Sequence, residues 1–182
     1  EPRWEEKFGS GLRGCRVLNS LDSEQALLFS TFGDDNTKFY LDQVNLVFPN
    51  IKSIVSFIEK HVSFYYDHPL IVPRIYPRPD AIKKRNNTIN ISGSDVLYFG
   101  LIEGNASVNC NRVVYDPQSP SNPINFSDTN STTESLAVVV NFREASLMAQ
   151  TDNLEEIKKF FLLNENADVL LLKMGAKGAY VF

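Results

Sequence analysis

Four short apolar runs dominate the second half of the chain: Val96–Phe99, Arg112–Tyr115, Leu136–Val140 and Val169–Lys173. Each is too short for a helix and rich in β-branched or aromatic residues, so each predicts a strand. Their continuous apolarity suits parallel strands covered on both faces. Between them, Glu144–Met148 and Leu154–Leu162 repeat apolar residues at helical spacing. Asp152-Asn153 ahead of Leu154-Glu155-Glu156 supplies helix-start residues with acidic first-turn neighbours. Ala179–Phe182 reads as a strand returning from a hairpin turn at Gly175-Ala176-Lys177-Gly178. Strand alternating with helix predicts an α/β sandwich with a mostly parallel sheet.

The first half is less regular. Gly9-Ser10-Gly11 reads as a glycine turn that opens into Leu12–Leu18, whose apolar members recur at helical spacing, and Leu27–Phe32 follows as a compact buried strand. Gly33-Asp34-Asp35-Asn36 ends that strand, and Lys38–Val47 fits a short helix or an irregular connection. Then the texture changes: Val62, Phe64 and Tyr66 alternate with Ser63 and Tyr65, and a second run, Leu70–Tyr76, follows Asp67-His68-Pro69. Pro69 and Pro73 cannot donate to a sheet ladder, which predicts an edge or accessory sheet. Arg78–Asn90 reads as a connecting loop with at most a short helix.

Composition narrows the classes. With 182 residues, 43% of them hydrophobic, the chain can bury a sizeable core. The formal charge of -4, with basic residues scattered except for Lys83-Lys84-Arg85 near Arg78, argues against nucleic acid as partner. No apolar segment approaches a membrane span, and the charged start, Glu1–Phe8, is not a signal-peptide core. Cys15 and Cys110 lack metal or redox spacing, which fits a reduced, cytoplasmic setting. Asn86, Asn90, Asn105, Asn125 and Asn130 begin Asn-x-Ser/Thr sequons, read as chance matches in an Asn-rich chain without an export signal.

In a parallel sheet the crevice beyond the carboxyl ends of the strands is the default ligand site. Glu103, within Gly100–Gly104, follows one strand; Asp116-Pro117-Gln118 follows the next; Asn141 and Glu144 follow the third; Gly175 and Gly178 follow Lys173. Asp116 can bind a hydroxyl or a phosphate network, or cap its own turn. Asn141 and Glu144, three apart at a helix start, have capping-box spacing, and the same pair can hold a hydrated Mg²⁺. Neither glycine segment is a P-loop or a dinucleotide fingerprint. His61 and His68, flanked by aromatics, have no serine or cysteine motif beside them and suit structural or substrate-rim roles.

Taken in order, six segments resemble the ribokinase-like, or PfkB, family of carbohydrate kinases. They are Gly9-Ser10-Gly11-Leu12-Arg13-Gly14, Thr31-Phe32-Gly33-Asp34-Asp35, Asp67-His68-Pro69-Leu70, Tyr115-Asp116-Pro117, Asn141-Phe142-Arg143-Glu144-Ala145 and Lys173-Met174-Gly175-Ala176-Lys177-Gly178. The resemblance covers about residues 7 to 182. It implies a three-layer α/β/α sandwich with a small β lid, the core in 1–60 and 77–182 and the lid in 61–76. It also implies ATP-dependent phosphoryl transfer, with Mg²⁺, to a hydroxyl of a sugar or nucleoside. Gly9, Ser10, Gly11, Asp34, Asp35 and His68 would then lie on the substrate side. Asp116, Asn141, Glu144, Lys173, Gly175 and Gly178 would lie on the phosphate side, with Asn141 and Glu144 organising the metal through water. The lid would form a cover or a homodimer surface.

The sequence departs from the family pattern in the helix after Gly11, where Arg13, Cys15 and Arg16 stand. The family's first strand would precede Glu1, and its Gly-Ala-Gly-Asp motif, with the catalytic base, would follow Phe182. The expectation is a fragment, truncated at both ends, that turns over little by itself. The alternative is a noncatalytic sugar- or nucleotide-binding or regulatory protein on the same fold.

Overall fold

The structure is a computed structural model describing residues 8–67, 73–82, 88–119 and 121–182. The chain divides into two compact units: one from the described residues through Ser63 together with Ile75–Pro77, the other from Phe64–Arg74 and Arg78–Phe182. The architecture is α/β, with a mixed, mostly parallel sheet flanked by helices. No helix among the described residues is long and apolar enough to cross a membrane.

In the first unit, helix α1 (Gly9–Leu21) leads into strand β1 (Leu27–Gly33), helix α2 (Asp35–Val47) and strand β2 (Ile51–Phe57). β1 and β2 pair in parallel, Leu27 opposite Ile51 through Gly33 opposite Phe57. Leu12 and Cys15, one turn apart on α1, meet Leu41 of α2 and Phe29 and Ile51 of the strands in the buried core. The expected glycine turn is instead the first turn of the helix itself. The left-handed backbone falls just ahead of and at the helix start, at Phe8 with φ of 64° and Gly9 with φ of 45°. Gly11 has a packing reason: a Cβ there would stand 2.6 Å from Phe29 Cε2. Of the two readings of Lys38–Val47, the helix is the one found. Leu28 and Ile54 are exposed, so the Leu27–Phe32 run is buried on one side only.

The accessory segment forms a two-stranded sheet of β3 (Ser63–Tyr65) and β4 (Arg74–Tyr76). Asp67 accepts a 2.8 Å bond from Arg74. The Leu70–Val72 part of the expected second run lies outside the described residues. Among the described residues of the polar connection that follows, Pro79–Ala81 form a short 3₁₀ turn, while the end of the expected loop, Thr88–Asn90, is strand instead.

The second unit holds a five-stranded sheet in sequence order: β5 (Thr88–Phe99), β6 (Asn105–Asp116), β7 (Thr132–Asn141), β8 (Val169–Lys173) and β9 (Ala179–Val181). β5 to β8 run parallel, and β9 returns antiparallel to β8 across the Gly175–Gly178 turn. β7 and β8 are joined by helices α3 (Phe142–Ala149) and α4 (Leu154–Lys159), the usual crossover between parallel strands. Leu136, Val138 and Val140 of β7 and Leu170 and Leu172 of β8 are buried, as are Ala145 and Met148 of α3 and Ile157 of α4.

The first two connections differ from the expected layered sandwich. Only Gly100–Gly104 links β5 to β6, with no helix. Two straight parallel strands of 12 residues would need a return of about 36 Å, whereas five linking residues span about 21 Å at full extension. The strands therefore turn a corner, and the ladder shows where. Pairing skips Ser94 opposite Asn111 and Asn111 opposite Glu134. Side chains bond around the bend: Cys110 Sγ donates to Arg112 O, and Thr133 Oγ1 donates to Ser135 O while accepting from Ser135 N. Among the described residues, the β6–β7 connection likewise carries only a 3₁₀ turn, Phe126–Thr129. Without helices over these strands, Leu97 and Val114 are partly exposed, so the short apolar runs are covered on one face, not two.

Candidate functional site

The carboxyl ends of β6, β7 and β8 bring together Asp116, Asn141, Glu144 and Lys173. Lys173 Nζ donates to Asp116 Oδ2 at 3.1 Å, a contact between residues 57 positions apart. The Asp116 side chain is 12% exposed and that of Lys173 is 43% exposed, so the ammonium has an open side while the carboxylate is enclosed. Asp116 Oδ1 also accepts from Gln118 N at 3.3 Å, so it shapes its own turn while reaching across the sheet.

Asn141 ends β7 and caps α3. Its Oδ1 accepts from Glu144 N at 2.9 Å, and Glu144 Oε2 accepts from Asn141 N at 3.2 Å. This is a complete capping box, so the three-residue spacing has its helix-start meaning. Glu144 is nonetheless unusual. It is only 4% exposed, and burial raises its carboxyl above the ordinary range. The backbone bond from Asn141 opposes that rise, the Asp116 carboxylate adds to it, and Lys173 and the Ser119 N–H offset it. Asp116, Glu144 and Lys173 therefore share one electrostatic environment, and the Ser119 amide points into it.

The loops around the cluster are tightly placed. Gly100 N donates to Asp116 O at 2.7 Å, and a Cβ on Gly100 would fall 1.8 Å from Pro117 O, so backbone meets backbone at the ends of β5 and β6. Glu103, in the same connection, has its carboxyl raised by burial against weaker lowering by its own N–H and that of Ile102. Tyr115, next to Asp116, is buried between Tyr98 and Phe126, with ring centroids 4.9 and 5.6 Å away, and donates to Ile124 O. Gly175 and Gly178 have φ of 60° and 88° and form the turn from β8 to β9, as their hairpin reading requires.

Of the residues expected on the substrate side, Gly9, Ser10, Gly11, Asp34 and Asp35 lie in the first unit. Asp34 caps α2 in a capping box with Thr37, whose N and Oγ1 both donate to Asp34 Oδ1. Its Oδ2 lies 2.9 Å from His61 Nδ1. Burial alone would raise the Asp34 carboxyl, but the bonds from His61 and Thr37 outweigh it and hold the group below its ordinary value. Asp35 is exposed in the first turn of α2, and Gly9, Ser10 and Gly11 form the first turn of α1. Ser10 Oγ accepts from Arg13 at 3.1 Å. His68 lies outside the described residues.

Two partners were not foreseen: the Ser119 amide toward Glu144, and His61 beside Asp34. Thr37 three residues after Asp34 is a sequence-level sign of that cap; nothing local marks Ser119. Among the described residues, no group of three or more His, Cys, Asp or Glu side chains is arranged to hold a metal by itself. Compared with family models, curated proteins and solved structures, the chain matches none. The site's chemistry therefore rests on its geometry and on the order of its motifs.

Proposed function

We propose that the cluster at the ends of β6, β7 and β8 binds the phosphates of ATP, in a protein that transfers the γ-phosphoryl group to a hydroxyl of a sugar or nucleoside. The observation that carries this reading is the Lys173–Asp116 pair set beside the buried Glu144 at the carboxyl ends of three neighbouring parallel strands. Lys173 supplies a mobile point charge for phosphate oxygens. Asp116 and Glu144 supply carboxylates for the water shell of Mg²⁺, which keeps several waters and shares phosphate oxygens, so a site with few protein ligands suits it. Bound Mg²⁺ would neutralise charge on the phosphates.

Asn141 acts through Glu144, holding it by the capping box, and Gly100 and Tyr115 fix the turn that carries Asp116. Gly9, Ser10, Gly11, Asp34, Asp35 and His68 are proposed for the acceptor side on the ribokinase-like resemblance, and no residue of this chain is assigned as catalytic base. The test is incubation with ATP, Mg²⁺ and a panel of sugars and nucleosides, followed by ³¹P spectroscopy, beside a direct measurement of ATP binding. Saturable ATP binding supports the phosphate site, and formation of a phosphate monoester, even at a low rate, supports the transfer reaction. Absence of both overturns it.

A further inference from the structure

Strand β5 is the outer strand of the second unit's sheet, and no described strand pairs with its far side. It is 12 residues long, whereas β9 at the opposite edge has three. A long edge with unpaired backbone groups is a template for another strand, and proteins usually blunt it with lysine, proline or an inward charge. From Thr88 to Ser94 β5 has none of these. The first charge, Asp95, is already engaged by Arg112 Nε at 2.6 Å and Nη2 at 2.9 Å.

We infer that the Thr88–Gly93 arm of β5 is a homodimer surface, where two copies of this chain pair antiparallel into one continuous sheet. The arm is complementary to itself. Thr88, Asn90 and Ser92 are exposed on one face, while Ile89 is buried on the other. A two-fold axis normal to the sheet keeps each face continuous only when residues of equal parity meet. With the axis at Asn90, that residue meets its own mate, Thr88 meets Ser92, and Ile89 meets Ile91. Polar then faces polar, apolar faces apolar, and no like charges meet. Moving the axis to Ile91 would set Ile89 against Gly93 and lose that match. The surface is distinct from the β3–β4 sheet.

Sedimentation equilibrium of the full chain, with Asn90→Lys and Asn90→Cys variants, tests the inference. The expected wild-type mass at micromolar concentration is twice the 20.6 kDa of the chain. Asn90→Lys, which sets two ammonium groups face to face, should raise the dissociation constant at least tenfold. Asn90→Cys should give a covalent dimer under mild oxidation, because the axis sets the two copies of residue 90 directly opposite each other on one face, within a small adjustment of disulfide reach; the native cysteines are buried. A wild-type monomer across the accessible concentration range overturns the inference. So does a dimer that tolerates Asn90→Lys and fails to cross-link through Cys at position 90, which would place the contact elsewhere, for example on β3–β4.

Discussion

Replacing Lys173 with Met keeps most of the side-chain stem and removes the charge 3.1 Å from Asp116. An exposed ion pair contributes about 0–1 kcal/mol, and breaking a fully buried one costs about 3–5 kcal/mol. Here one partner is 12% exposed and the other 43% exposed, so solvent screens part of the interaction. The expected destabilisation lies between these limits, about 2 kcal/mol at pH 7.5. In a protein of this size that corresponds to a fall in Tm of about 4–8 °C, measured by far-ultraviolet circular dichroism. The pH dependence adds a second criterion. Glu144 has a raised carboxyl, so between its unfolded and folded values the native state binds more protons than the unfolded state. The contribution of Glu144 to stability is then greatest below the unfolded value of about 4.3 and declines as pH rises through the folded one. Lys173 limits that decline, so K173M should extend it to higher pH. An unchanged or higher Tm at pH 7.5, with a pH profile parallel to wild type, would refute the assignment of Lys173 as the charge that balances the two carboxylates.

Glu144→Gln retains an acceptor for the Asn141 N–H but removes the buried charge; its Tm should rise at pH 7.5 and its pH profile should flatten, whereas Glu144→Ala should lose about 1 kcal/mol with half of the capping box. Gly100→Ala forces a Cβ onto Pro117 O and should cost about 2–3 kcal/mol in chemical denaturation, since backbone must move on one side. Asp34→Ala should cost about 1 kcal/mol through the lost cap of α2. Because the Asp34 carboxyl is held low, its contribution is present above the unfolded value of about 3.9 and lost as pH falls through the folded one, so wild type and variant should converge in acid titrations.

The strands of the second unit were legible where apolar residues gather, and their lengths were not. Val96–Phe99 is the last third of β5, and the earlier part, Thr88–Ser94, is built of Thr, Asn, Ser and Gly alternating with isoleucine, a composition that local propensity assigns to loops. In Asn105–Asn111 of β6, Asn and Ser fill every second position and obscure the strand in the same way. These arms are strands because their neighbours pair with them, which is a tertiary effect. β2 escaped because Ile-Lys-Ser-Ile-Val-Ser-Phe follows neither the two-residue nor the helical period cleanly. The corner at Ser94, Asn111 and Glu134 leaves no local trace beyond the shortness of Gly100–Gly104. At the site, Asn141 and Glu144 announced their capping box through spacing alone, and Asp116 and Lys173 were legible as strand ends. Their contact depends on the order of β6, β7 and β8 in the sheet, which no local pattern specifies.

Titration of ATP into the full chain by calorimetry, in the presence and absence of Mg²⁺, tests the proposed phosphate site most directly. The account predicts saturable binding that strengthens with Mg²⁺, weakens at least tenfold in Lys173→Met and in Asp116→Asn, and is unchanged in Glu155→Gln on the exposed side of α4. Binding of equal affinity in wild type, Lys173→Met and Asp116→Asn, or no saturable binding at millimolar ATP, would contradict it.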